Sequence, residues 1–87
     1  MKEELIKNDE FSLIISSDLD YEELVVYILF NEEQIATVSQ ENGLDNLEIE
    51  ILPTFEGKPW KFSYDGFLRA ILRAKECLKE DQKIPEE

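Results

Sequence analysis

The chain has 87 residues, 43% of them hydrophobic, with nine Lys and Arg against twenty-one Asp and Glu for a net charge of −12. That length fits one domain, the apolar content argues against disorder, and the acidity opposes binding to phosphate-bearing partners such as nucleic acid or an anionic membrane. A chain with no histidine and a single cysteine, Cys77, builds neither a Ser-His-Asp nor a Cys-His centre and closes no internal disulfide.

Residues 1–8 are expected to form a polar arm, with at most a short helical turn. "EFSLIIS" (10–16) is apolar and β-branched and predicts a strand. "SSDLDYEEL" (16–24) then places Asp18, Asp20, Glu22 and Glu23 within six positions, with no Lys or Arg nearby. "ELVVYILF" (23–30) carries the strongest strand signal. Asn31-Glu32 suits a two-residue turn into "QIATVSQ" (34–40), a turn that would set Ile28 opposite Ile35 and Val26 opposite Thr37. Asn42-Gly43 predicts a second turn, and "LEIEIL" (47–52) alternates apolar and acidic residues as a half-buried strand does. Pro53, Gly57 and Pro59 mark 53–62 as a loop. The spacing predicts a helix over 63–81, capped by Ser63 or Asp65, with a buried stripe through Phe67, Leu68, Ile71, Leu72, Ala74 and Leu78. Residues 82–87 form a tail.

The expected fold is therefore α+β: a four-stranded antiparallel meander over 10–52, order β-β-β-β-α, with one C-terminal helix packed on one sheet face. The pairing above puts Leu24, Val26, Ile28, Phe30, Ile35, Leu47, Ile49 and Ile51 beneath the helix. It leaves Val25, Tyr27, Leu29, Ala36 and Val38 beside Glu48 and Glu50 on the other face. Apolar residues rimmed by carboxylates suit a contact surface.

Other chemistries find little support in the sequence. Counted from Asp18, a calcium loop of the D-x-D-x-D-G type needs Gly sixth and an acid twelfth, where this chain has Glu23 and Leu29. Cys77 stands between Glu76 and Leu78 without an activating base, and the isolated glycines Gly43, Gly57 and Gly66 make no phosphate loop. Phe55, Trp60, Phe62, Tyr64 and Phe67 stand among Lys58 and Lys61 as a base-stacking platform would. The net charge opposes that use, and core packing is the expectation. No catalytic residue, metal or cofactor is expected.

The charge is also divided along the chain. Between Asn8 and Gly57 there are thirteen acids and no base, whereas Lys58–Lys79 holds six bases and two acids. An acidic strip of Asp18, Asp20, Glu22, Glu23, Glu48 and Glu50 around Tyr27 is suited to a basic protein, with its carboxylates standing where phosphates would lie.

The run "SDLDYEELVVYILFNEEQIATVSQENGLDNLEIEI" (17–51), followed by "DGFLRAILRAKECL" (65–78), resembles small acidic immunity proteins of bacterial contact-dependent growth inhibition and polymorphic toxin systems. That resemblance implies a cytoplasmic antitoxin. Such a protein binds the toxin domain of its own strain's exported protein, often a basic nuclease, as a monomer in a 1:1 complex, without nucleic acid or membrane. Two other classes fit the composition: a small acidic module that homodimerises in a structural or regulatory role, and a nucleic-acid mimic that inhibits DNA-binding proteins.

Overall fold

The computed structural model describes residues 2–5, 11–54 and 56–80. Five strands, β1 (Lys2–Leu5), β2 (Phe11–Ser16), β3 (Val25–Phe30), β4 (Glu33–Ser39) and β5 (Glu48–Ile51), form one antiparallel sheet in sequence order. The helix α1 (Tyr64–Glu80) follows. The α+β meander with a C-terminal helix is thus the fold of this chain.

The four expected strands are all present, each within two residues of its expected ends. A fifth precedes them: Lys2–Leu5 is no polar arm or helical turn but an edge strand, with Lys2 opposite Ile15 and Leu5 opposite Ser12. Its charged KEEL sequence has little strand propensity, and the ladder of β2 supplies what local sequence does not. The remaining arm residues 6–8, the acids Asp9 and Glu10, Phe55, the final helical position 81 and the tail 82–87 lie outside the described residues.

The β3–β4 turn is as expected. Asn31 and Glu32 both take positive φ, 52° and 70°, as a type I′ hairpin demands. Beyond Leu29↔Gln34 the register slips, so Ile28 stands opposite Ala36 and Val26 opposite Val38, not opposite Ile35 and Thr37. Ile35 is the extra residue of a β-bulge. From that point on, every β4 side chain changes face, because strand periodicity is two. Ala36 and Val38 therefore join the helix side, and Thr37 and Ser39 take their places on the other face beside Tyr27, Glu48 and Glu50. That face is not exposed throughout, since Val25, Thr37 and Ser39 on it are buried. Ile35 and Ala36 are both fully buried, which is how the core accommodates the slip. The Gln34 amide spans the bulge to donate to Thr37 Oγ1 at 3.0 Å. Because Glu32 bears a side chain at φ 70°, Glu32→Gly is expected to raise stability by up to about 1 kcal/mol in urea unfolding, with an unchanged m-value.

The second turn is longer than two residues. Gly43 takes φ 95° and leads into a 3₁₀ turn, Leu44–Asn46, before β5 begins.

Helix α1 starts at Ser63, whose Oγ accepts from the Gly66 N–H at 3.1 Å. It packs on β2 and β3 and touches the 3₁₀ turn near Leu44. Its buried residues are Gly66, Ala70, Ala74, Cys77 and Leu78. The seat is thus made mainly of small side chains that let the backbone approach the sheet closely. The expected stripe is rotated accordingly: Ala74 and Leu78 are buried, Phe67 and Ile71 half-buried, and Leu68 and Leu72 exposed. Ile49 and Ile51 do lie on the helix side by register, opposite Val38 and Ala36. They are nevertheless 43% and 53% exposed, because the helix stops short of β5.

Phe11, Leu13, Ile15, Val26, Ile28, Ile35, Ala36 and Val38 complete the core from the sheet side. Phe62 and Phe67 pack with Phe11 and Phe30 at ring separations of 4.8–6.0 Å, and Trp60 stacks on Phe62 at 5.5 Å. The Trp60 indole N–H donates to the Leu52 carbonyl at 2.8 Å, closing the 53–62 loop on the sheet. Of the aromatics considered for stacking, Trp60, Phe62 and Phe67 are core groups and Tyr64 is exposed.

Candidate functional site

The β2–β3 connection (17–24) and the β4–β5 connection (40–47) meet at one end of the sheet, and the acidic residues gather there. Gln40 and Glu41, adjacent at the end of β4, hold the first connection from two sides. The Gln40 amide donates to the Leu24 carbonyl at 2.9 Å. The Glu41 carboxylate accepts the backbone N–H groups of Glu22 and Glu23 at 3.2 and 2.9 Å. These backbone donors explain why a carboxylate is tolerated in so negative a neighbourhood.

Asp18 organises the other half of the loop. Its Oδ1 accepts from the Asp20 N–H at 2.8 Å and its carbonyl from the Tyr21 N–H at 3.0 Å, a tight Asx-type turn. Its Oδ2 accepts the Tyr27 hydroxyl proton at 2.5 Å, which anchors the loop to the open face of β3. That bond holds the Asp18 carboxyl below its ordinary value of 3.8, with the Asp20 N–H adding to the effect. The same bond raises Tyr27 above its ordinary 10.0, assisted by desolvation.

Tyr21 feels the same charges. Partial burial and then the negative charge of Glu50, Asp18, Asp20 and Glu41 push its hydroxyl upward. Of the residues singled out in the sequence, Asp18, Asp20 and Tyr27 are joined by hydrogen bonds, and Glu50 shares the sheet face of Tyr27, with Thr37 between them. Glu48 lies alongside on β5, accepting from the Asn42 side-chain amide at 3.0 Å. Glu22 and Glu23 are tied in through their backbone. Glu32 and Glu33 lie at the opposite end of the sheet. Among the described residues, no group of three or more His, Cys, Asp or Glu side chains is placed to hold a metal ion, and no helix is long and apolar enough to cross a membrane.

Two features of this end were missed in the sequence. One is Leu19, fully exposed between Asp18 and Asp20. An aliphatic residue at the tip of an acidic turn is its only sequence signal. The other is the support from Gln40 and Glu41, whose targets lie 16 to 19 residues away and leave no local trace.

The Asp18–Tyr27 bond makes a pH-dependent prediction. A carboxyl lowered on folding contributes stability above its unfolded pKa near 3.8, and loses it as pH falls through the lower folded value. A phenol raised on folding contributes below about 10.0 and loses it as pH rises through the higher folded value. In Tyr27→Phe the phenol component should vanish and the carboxyl component should shrink to the part that the Asp20 N–H supplies. Carboxyl-carbon NMR titration should then show Asp18 moving up toward its ordinary value, with the loop still held by Glu41. An unmoved Asp18 titration would show that the bond does not form in solution.

Compared with family models, curated proteins and solved structures, the chain has no match.

Proposed function

We propose that this protein is an intracellular inhibitor of a basic protein, acting as an immunity protein that neutralises a toxin domain of nuclease type by covering its substrate-binding surface. The observation that carries this reading is the meeting of two acidic connections at one end of the sheet, tied by the Asp18–Tyr27 and Glu41 hydrogen bonds with Glu50 on the same sheet face as Tyr27, and Leu19 exposed at the tip. Fixed carboxylates with an apolar anchor among them match a groove built to hold phosphates, and exclude nucleic acid from it by occupation alone. The mechanism requires no chemistry from this chain. Asp18, Asp20, Glu22, Glu23, Tyr27, Glu48 and Glu50 carry the contact, Leu19 joins them, and Glu41 holds the loop in shape. The complex is 1:1, and the working compartment is the cytoplasm in which the toxin must be neutralised.

The test is calorimetry with the toxin domain encoded immediately upstream, at low and high salt. Nanomolar affinity, about −12 kcal/mol, that weakens as salt rises is the expected result. Binding indifferent to salt, or lost on charge reversal at Arg69 and Arg73 rather than at the acidic end, would place the interface on the helix and reject this reading. A clean monomer without affinity for the toxin domain would leave the acidity as a solubility device.

A further inference from the structure

Strand β5 is an edge of the sheet, and all four of its residues are exposed. The ladder fixes which of its backbone groups are used. Leu52 N–H donates to the Ile35 carbonyl at 2.8 Å, so Leu52, Glu50 and Glu48 direct their peptide groups toward β4. By alternation, the N–H and C=O groups of Ile49 and Ile51 point outward along the open edge. The side chains alternate as well. Ile49 and Ile51 lie on the helix side, and Ile49 borders a groove whose far wall is Ile71 and Leu72. Glu48 and Glu50 lie on the open face beside Ser39 and Thr37.

From this arrangement we propose that the β5 edge receives an extended strand of the partner protein that alternates apolar and basic residues. Its apolar side chains cover the exposed Ile51 and enter the groove between Ile49 and Leu72, and its Lys or Arg side chains pair with Glu48 and Glu50. The proposal rests on the reading above that the partner is basic, and it names the element recognised. Charge selects this occupant over a second copy of the chain. The face-preserving antiparallel pairings of β5 with itself that overlap most of the strand, centred on Ile49 or on Glu50, set Glu48 against Glu50, or Glu50 against Glu50, directly across the new ladder, where like charges repel. A strand with basic residues at those positions converts the same geometry into attraction. The acidic alternation therefore disfavours the self-pairings with most overlap and favours a strand of the opposite charge.

The experiment uses isotope-labelled protein at about 0.15 M salt and the peptide acetyl-Lys-Val-Lys-Val-Lys-Val-amide. Its controls are the block isomer acetyl-Lys-Lys-Lys-Val-Val-Val-amide and the acidic acetyl-Glu-Val-Glu-Val-Glu-Val-amide. The alternating lysine peptide should bind about tenfold more tightly than the block isomer and slow amide exchange at Ile49 and Ile51. In the exposed double variant Glu48→Lys, Glu50→Lys the preference should pass to the acidic peptide. Equal binding of the two basic peptides, or protection confined to the Asp18–Glu23 loop, overturns the edge proposal while leaving a basic partner standing. Acidic and basic alternating peptides binding equally well to the unaltered protein would overturn both. Concentration-dependent protection of Ile49 and Ile51 without peptide would assign the edge to a second copy instead.

Discussion

Truncating Leu78 to alanine is expected to cost about 2–5 kcal/mol, and the same change at Leu72 about 0.5 kcal/mol or less. Both leucines belong to the apolar arc of one helix, and the spacing of the sequence gives them equal claim to the core. The structure separates them: Leu78 is 0% exposed and packed among the core residues, while Leu72 is 55% exposed on the rim of the β5 groove. A buried leucine loses its transfer free energy and leaves a cavity that the sheet beneath cannot fully collapse into. A chain of this size has only about 4–13 kcal/mol of stability in all, so Leu78→Ala should bring it close to unfolding at room temperature. Urea unfolding of the two variants decides the matter. Equal losses would mean that α1 is seated on its large residues, with Ala70 and Ala74 turned away from the sheet.

The helix orientation shows where sequence reasoning reaches its limit. The periodicity of α1 marks an apolar arc from Gly66 to Leu78 that is wider than the face a sheet can cover. Which part of it is buried depends on how closely the helix approaches, and Gly66, Ala70 and Ala74 permit a close approach that Leu68 and Leu72 do not. The bulge at Ile35 escaped for a related reason. Ile35 and Ala36 are both apolar, so a one-residue slip between them leaves no polar residue on the wrong side to give it away. The β2, β3 and β4 strands and the Asn31-Glu32 turn were legible because β-branched runs and turn residues act locally. The strand Lys2–Leu5 was not, since only its pairing with β2 makes it one. At the acidic end, the side-chain types and the meeting of the two connections could be read from the meander. The Asp18–Tyr27 bond, the Glu41 support and the exposure of Leu19 are tertiary facts.

Those tertiary facts separate two roles that charge alone would merge, and kinetics should tell them apart. Asp20 and Glu50 both bear on Tyr21 electrostatically and set the field that a basic partner meets first. Reversing both, Asp20→Lys with Glu50→Lys, is expected to slow association with the basic toxin domain by about 10- to 100-fold at low salt and to flatten its salt dependence. The effect on dissociation should be smaller than that on association, because charge pairs that stay exposed at the rim of a contact hold it only weakly. Leu19→Ala should do the reverse. A fully exposed side chain contributes nothing to the core, so stability should be unchanged, but an anchor that becomes desolvated in the complex costs about 1–3 kcal/mol when truncated. That corresponds to dissociation roughly 5- to 150-fold faster at an unaltered association rate. Stopped-flow association and surface-based dissociation of the two variants provide the measurement. If Leu19→Ala slows association while leaving dissociation alone, the leucine is no anchor. If the double reversal accelerates dissociation as strongly as it slows association, the carboxylates are buried at the interface and not at its exposed rim.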